Sequence, residues 1–536
     1  MPVNVNDVIK RYEAAKGARD NWEWHWQEIA ELVLPTRDFT VDFNDGDQRR
    51  NRIYNEVAPD ACESLASALS GMLTNTSIRW FSLTLADYEL AQNEEAKVWL
   101  YDTTTRMLDY FDSSESGFAT NSHEIYLDLC AFGTGVMLVR RSPNSLTFQA
   151  RQLSNFYMTE NDAGERVECY RRFKMTALEA YEVFGDDLHE KIIKAVEEPK
   201  NRDKKWEFIH AVIKRSDRDP LKVDSKNMPF ASIYIDIKNK ELVREGGFSS
   251  MPYLVPRWSK APEEVYGRSP SMKILPGIKM VNAMSRAVIE ASELAIRPPL
   301  LIPANSIEGP IRTTPGSIMY TRSGTRELPQ PLMSGARPDI GEGLLAHRES
   351  RIEKAYFLDT FKLPDNDRMT ATEIIERRQQ GLLAAAPMLS RLYEEWLNPV
   401  IQHVFEWMRD TDRLMPMPDV IADRDLNISY RSPMALSKKQ SQGQSFMQAM
   451  SLVTPLVQVN PAIMDNLNAD IAFRDLFDMN NVDPSYLRSS SEVMMGRQQQ
   501  AQQEQQMQQA QLAQQQASAS RDAAAGMKDI SEVPGV

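Results

Sequence analysis

Cysteine is scarce in this chain. Three are found in 536 residues, Cys62, Cys130 and Cys169. They are odd in number, far apart and never in a CxxC pair, so no disulfide framework or zinc site follows and a reducing compartment fits. The six histidines, His25, His123, His189, His210, His347 and His403, are scattered, and none has metal-ligand spacing to another His or Cys. No apolar run approaches the ~18 residues that cross a bilayer. The opening MPVNVNDVIKRYEAAKG lacks the apolar core of a signal peptide. The expectation is a protein made and assembled in a cytoplasm, with no membrane role.

Catalytic motifs are missing as well. There is no GxxxxGKS/T loop to cradle nucleotide phosphates, no HExxH pair and no GxSxG elbow. Gly133-Thr134-Gly135 reads as a tight helix-to-strand turn. The acid pairs Asp186-Asp187 and Glu197-Glu198 lie in charged, surface-like stretches. A two-metal nuclease needs carboxylates at strand ends facing one cleft, and nothing here suggests that. The expectation is a chain that is not an enzyme and carries no cofactor or metal.

What is present is the composition of a folded protein, with 42% hydrophobic and 26% charged residues. The length suggests roughly three or four domains. The net charge of −13, from 62 basic and 75 acidic residues, argues against a protein whose main task is tight nucleic-acid binding. It leaves room for a surface past which DNA slides; mild acidity also simply keeps a protein soluble.

The first half reads as mixed α+β. A helix is expected over 5–34, with Trp22, Trp26, Ile29 and Val33 on one face and Pro35 after the last turn. Helical character returns over 52–110, broken by the strand WFSLTL (80–85). A helix over 120–131 then meets the strand 136–141. Short strands follow over 146–175, with a hairpin turn at Asn161-Asp162-Ala163-Gly164, and again at FIHAVI, ASIYIDI and YLVPRW.

The second half is helix-rich. A long helix over 269–297 ends at Arg297-Pro298-Pro299, and Pro276-Gly277 within it predicts a kink or a late start. A module rich in Pro, Gly, Ser and Thr spans 298–338, with short strands at LLIPA and SIMYTR. A second helix is expected over 339–361, then a polar loop. Thr370-Ala371-Thr372-Glu373 is a capping box opening a third helix to about 409, kinked at Pro387 and Pro399. Residues 434–490 read as helical. The Gln-rich tract from Arg497 to about Ser518 is either disordered or a long helix stabilised when copies bundle.

Basic residues gather in this half. Arg297 leads into the 298–338 module, which carries Arg312, Arg322, Arg326 and Arg337, and the second helix has His347, Arg348, Arg351 and Lys354. Arg312, Arg322, Arg326, Arg351 and Lys354 are candidates for a basic constriction around phosphates. Ordinary solvated charge, or pairing between subunits, is the competing account of each one singly. Repetition around a ring would turn modest attraction into a belt.

The order of these segments resembles the portal, or head-to-tail connector, family of short-tailed bacteriophages. RYEAAKGARDNWEWHWQEIAELVLP (11–35), ESLASALSGMLTNTSIRWFSLTLADYEL (63–90), IYLDLCAFGTGVMLVRR (125–141) and MTATEIIERR (369–378) each carry part of the match. The most specific piece is VYGRSPSMKILPGIKMVNAMSRAVIEASELAIRPPLLIPA (265–304). The resemblance covers about residues 8–490.

It implies a helix-rich α+β portal fold and a twelve-subunit ring at one capsid vertex. The implied parts are a wing (1–260, plus the kinked helix 370–409), stem helices (261–297 and 339–361), a clip (298–338), a tunnel loop (362–369), a crown (410–490) and a tail or barrel helix (491–536). Lys362, Leu363, Pro364, Asp365, Asn366, Asp367 and Arg368 match the tunnel loop, with Lys362 and Arg368 expected to touch the DNA backbone without reading sequence. The implied partners are double-stranded DNA, the terminase packaging motor, scaffolding and major capsid proteins, and a tail adaptor. A terminase-like nuclease, or a tail adaptor or internal head protein, is the alternative.

Overall fold

The computed structural model describes residues 4–40, 53–75, 79–85, 87, 93–219, 222, 224–302, 307–308, 320–321, 330–331, 338–361, 387–419, 428–430, 433–459, 467–479, 482, 486–488 and 490–531. In chain order these form helices α1 (Val5–Leu32) and α2 (Val57–Leu73), strand β1 (Leu83–Leu85), and helices α3 (Glu94–Asp112) and α4 (Phe118–Phe132). Strands β2 (Met137–Arg141), β3 (Leu146–Ala150), β4 (Phe156–Glu160) and β5 (Arg166–Thr176) lead to helices α5 (Ala177–Phe184) and α6 (Glu190–Glu197). Strands β6 (Lys205–Lys214), β7 (Phe230–Asp236), β8 (Glu241–Phe248) and β9 (Tyr253–Leu254) precede helix α7 (Pro270–Ile296). Short strands β10 (Leu300–Leu301), β11 (Ile307–Glu308), β12 (Tyr320–Thr321) and β13 (Gln330–Pro331) separate it from α8 (Pro338–Ala355) and α9 (Leu358–Phe361). The chain closes with α10 (Asn398–Asp410), β14 (Ile428–Tyr430), α11 (Pro433–Val459), α12 (Ala469–Met479) and α13 (Ser490–Ser531).

Two compact units result. The first comprises residues 1–80 and 106–414, the second 81–105 and 415–536.

The first unit is built on an antiparallel sheet of order β4-β5-β6-β7-β8. Its strands alternate, so each face needs a cover. Helix α1 covers one face. Asn4 caps the helix, accepting from the Asn6 amide at 3.2 Å, and Val8, Ile9, Tyr12 and Ala15 recur at helical spacing. They pack on Tyr157, Tyr170, Ile209, Ala211, Ile233 and Ile235, with Tyr12 edge-on to Tyr157 at 5.2 Å. The opposite face carries Phe208, Trp206 and Val243, covered by Ala177, Ala180 and Phe184 of α5 and Ile192 of α6. A capping box at Thr176 and Glu179 starts α5.

Further along α1, Trp26 and Ile29 are buried as the spacing predicts, and Trp26 Nε1 donates to the Phe132 carbonyl at 3.2 Å. Trp24 points away, 70% exposed. Arg19 is buried within the same helix. Its guanidinium donates to the carbonyls of Leu153 (2.7 Å), Ser154 (2.7 Å) and Phe156 (2.6 Å), bonds Glu23 and lies 3.8 Å over the Tyr157 ring. A buried guanidinium is tolerable because its donors are satisfied this fully.

The second sheet of this unit has the order β3-β2-β9. The β4–β5 hairpin turns where Asn161-Asp162-Ala163-Gly164 predicts, with Gly164 at φ 76° and the Asn161 amide bonded to the Glu165 carbonyl. In the second unit β1 pairs antiparallel with β14, Trp99 Nε1 donates to the Met415 carbonyl at 3.0 Å, and Arg497 grips Asp470 through two bonds of 2.6 and 2.7 Å. Helix α13 carries the Gln-rich tract as one helix of 42 residues, and the described side chains of that tract are exposed.

Several boundaries differ from the sequence expectation. Helix α7 starts at Pro270 and continues through Pro276, so there is no late start. The second helix stops at Ala355, because Phe357 takes a left-handed φ of 58° before the short helix α9. Helices α5 and α6 and strand β8 were not anticipated.

Candidate functional site

The region that the sequence singles out is the helix pair α7–α8 and the module between them. Ser269 starts α7: its hydroxyl accepts from the Met272 amide at 3.0 Å and donates to the Ala131 carbonyl at 2.7 Å, and Pro270 occupies the first helical turn. Ser271 Oγ donates to the Cys130 carbonyl at 2.7 Å and lies 2.7 Å from the Tyr356 hydroxyl. The root of α7 and the residue just past α8 are thus pinned to the end of α4.

Beyond that root the pair leaves the core. The last buried residue of α7 is Ser285, and the first buried residue of α8 with a described side chain is Ile352. Between them the two helices pack closely on each other, such that a Cβ on Gly341 would come within 2.8 Å of Val288 Cγ2. Asn55 bridges the pair, donating to Ser285 Oγ (3.1 Å) and Glu349 Oε1 (2.6 Å). Ile289, Leu294 and Ile296 of α7 and Leu344 of α8 stay exposed, at 45–79%.

Between the helices the chain pairs with itself in two places. β10 pairs antiparallel with β13, and inside that pair β11 pairs antiparallel with β12. The result is a helix, a nested antiparallel ladder and a returning helix.

A buried charge network lies close to the root of α7, where Arg257 bridges to Thr134. Residues 387–392 are helical and pass through a π turn, Tyr393–Leu397, into α10. Pro399 supplies no amide for the Glu395 carbonyl, which explains the wide turn. The side chain of Glu395 accepts from Arg257 Nη2 at 2.6 Å and from Arg391 at 3.0 Å. Arg257 also pairs with Glu160, and Lys260 meets the same carboxylate at 2.5 Å. Burial opposes the charge of Arg257, but Glu395 and Glu160 outweigh it and hold its pKa above the ordinary value. At Asp128 the balance falls the other way. Burial pushes its carboxyl up to about 6, although Arg37 at 3.0 Å favours the charged form.

Of the sequence candidates, Arg351 and Lys354 lie exposed on the last turns of α8. Arg312, Arg322 and Arg326 and the loop Lys362, Leu363, Pro364, Asp365, Asn366, Asp367 and Arg368 lie outside the described residues, as does the expected helix over 370–386. Cys62, Cys130 and Cys169 are buried and free. Among the described residues no group of His, Cys, Asp and Glu could hold a metal ion, and no helix is long and apolar enough to cross a membrane.

Comparison with known proteins fits this layout. The sequence profile of the bacteriophage head to tail connecting protein family matches residues 5–487. The chain belongs to that family. Relatives in the family range are similar along almost their whole length. The probable portal protein of Bordetella phage BPP-1 is 28% identical over 506 residues, 92% of this chain and 91% of the relative. The portal protein of Salmonella phage epsilon15 is 28% identical over 539 residues, 98% of this chain and 95% of the relative. A solved structure, the virion of the native gene transfer agent particle, covers 74% of this chain and 86% of its own at 12% identity and a TM-score of 0.35. That superposition is too loose to add weight to the family match. The family profile spans α1, the Gly133-Thr134-Gly135 turn and the α7–α8 pair in one collinear run.

Proposed function

We propose that this connector-family chain is a portal protein, a structural subunit of the virion at one capsid vertex with no catalytic step of its own. The observation that carries this reading is collinear similarity over more than nine-tenths of two phage portal proteins. The helix–ladder–helix projection supports it. Two helices whose outward stripes stay exposed in one copy need neighbours, and a closed ring supplies them by head-to-tail contacts.

In the finer reading the ring has twelve copies. Residues 1–260 with 370–409 form the wing, 261–297 and 339–361 the stem, 298–338 the clip, 362–369 the tunnel loop, 410–490 the crown and 491–536 a tail or barrel. The ring nucleates assembly with scaffolding and coat protein in the host cytoplasm. A separate packaging ATPase docks on the clip and drives double-stranded DNA inward; a tail adaptor later takes its place. A net charge of −13 suits a channel that must let DNA move rather than hold it.

Negative-stain imaging of the purified full chain tests the reading. Annular particles are expected. Monomers or filaments without annular views would overturn it.

A further inference from the structure

Strand register places Phe156, Arg171, His210, Tyr234 and Arg244 directly opposite one another across β4 to β8. Directly opposed residues share a face. His210 is buried and stacks flat on Tyr234, with ring centroids 4.2 Å apart, so the centre of the row is an uncharged floor. A second set comes from the neighbouring sheet. Arg140 on β2 lies opposite Thr147 on β3, and Gln149 and then Arg151 follow at the two-residue period, on the same side. The two sets meet at Tyr253 of β9, whose hydroxyl is 2.7 Å from His210 Nδ1.

Three arginines therefore converge where the two strand sets meet, in what we take to be one cleft. Arg151 and Arg171 are half-buried and Arg140 is exposed at the mouth. Burial, with Arg171 and Arg140 adding repulsion, pushes the Arg151 guanidinium down to about 10. Its Nε is buried without a hydrogen-bond acceptor, and Gln149 satisfies only one terminal nitrogen. Among the described residues no carboxylate pairs with Arg140, Arg151 or Arg171. The contrast is internal: Arg37 and Arg257 each bind two carboxylates, Arg19 bonds Glu23, and Arg244 at the end of the row reaches Asp187 at 3.3 Å. Half-buried charge without a counterion is costly, and an acceptor from outside relieves it.

We propose that the cleft of Arg140, Arg151 and Arg171 receives a carboxylate-bearing segment of a second copy of this chain. Guanidinium forks match carboxylates through paired, directional bonds. With 75 acidic against 62 basic residues, a second copy presents carboxylates in excess. The inference rests on the portal reading, because a ring closes by contacts between unlike surfaces, here one basic and one acidic.

The test compares the wild-type full chain with Arg140→Gln/Arg151→Gln/Arg171→Gln and with Arg140→Gln alone. Self-association is measured by analytical ultracentrifugation at low and high salt, and melting at low protein concentration reports folding. The triple variant should melt no lower than wild type, since repulsion is relieved, while associating about tenfold or more weakly and losing much of the salt dependence. Arg140→Gln, at the exposed mouth, should show part of the same loss and keeps the test independent of any folding defect. Unchanged association and salt dependence in both variants, with annular particles still seen, would overturn the inference and leave the portal reading standing. Wild type that never associates would overturn both. Loss of binding to a duplex oligonucleotide with association unchanged would identify phosphate as the ligand and also overturn it.

Discussion

Gly133 and Gly267 interlock backbone to backbone. A Cβ on Gly267 would come within 2.1 Å of the Gly133 carbonyl oxygen, and one on Gly133 within 2.6 Å of the Gly267 oxygen. Gly133 also sits at φ 76°, where a side chain is strained in any case. The Gly267 amide donates to Thr134 Oγ1 at 2.8 Å. Two motifs that are far apart in sequence are therefore one joint, and Ser269 of the second motif launches α7 from it.

Because the clashing atoms are backbone, Gly267→Ala should cost about 2–3 kcal/mol or more in a urea melt. Gly71→Ala, on an exposed turn of α2 with nothing within 4 Å, should instead stabilise by about 0.5–1 kcal/mol. Equal effects of the two would contradict the joint.

The buried network around Glu395 predicts an asymmetry. Glu395→Ala leaves Arg257, with a side chain only 5% exposed, short of one of its two carboxylates, and should cost about 3–5 kcal/mol. Arg391→Ala removes a partner that is 35% exposed and should cost within about 1 kcal/mol. Denaturant midpoints of the two variants check this.

His210 predicts a pH effect. Burial is the main cause that holds its pKa at about 3, with Arg171 and Arg140 adding to it, against 6.5 when unfolded. A depressed pKa gives stability that is present above 6.5 and lost as pH falls toward 3. Between pH 7 and 5 the loss is about 2 kcal/mol. Asp128 acts with the opposite sign, since its raised pKa gives stability lost as pH rises toward about 6. The measurement is therefore the difference between wild type and His210→Gln, whose unfolding free energy should fall less steeply over this range. Parallel pH curves would refute the assignment.

For the loop expected at 362–368, Lys362→Ala with Arg368→Ala should leave annular particles intact and impair retention of packaged DNA. Filled heads that keep their DNA as well as wild type does would count against that role.

Local signals carried much of this fold. The spacing of Trp22, Trp26, Ile29 and Val33 marked α1, Arg297-Pro298-Pro299 marked the end of α7, and Asn161 to Gly164 marked the β4–β5 turn. These are decided by neighbours in the chain. Strand β8 escaped because Gly246-Gly247 breaks its alternation. The arginine cleft escaped for a different reason: Arg140, Arg151 and Arg171 look like ordinary surface charges until register brings two sheets together. The glycine joint was half legible, since Gly133 signalled a turn but nothing local named Gly267 as its partner. Nor did anything local distinguish a kink at Pro276 from a helix that runs through it.

Arg19 carries a consequence for how the chain is made. The acceptors of its guanidinium, the carbonyls of Leu153, Ser154 and Phe156, lie 134 to 137 residues downstream. At a synthesis rate of about 5–20 residues per second, α1 leaves the ribosome roughly 7–30 s before those carbonyls exist. Throughout that interval its apolar stripe and its arginine have no resting place. The first helix to emerge thus waits on later strands: its arginine until residue 156 has been added, and its apolar stripe until Ile233 and Ile235 have been.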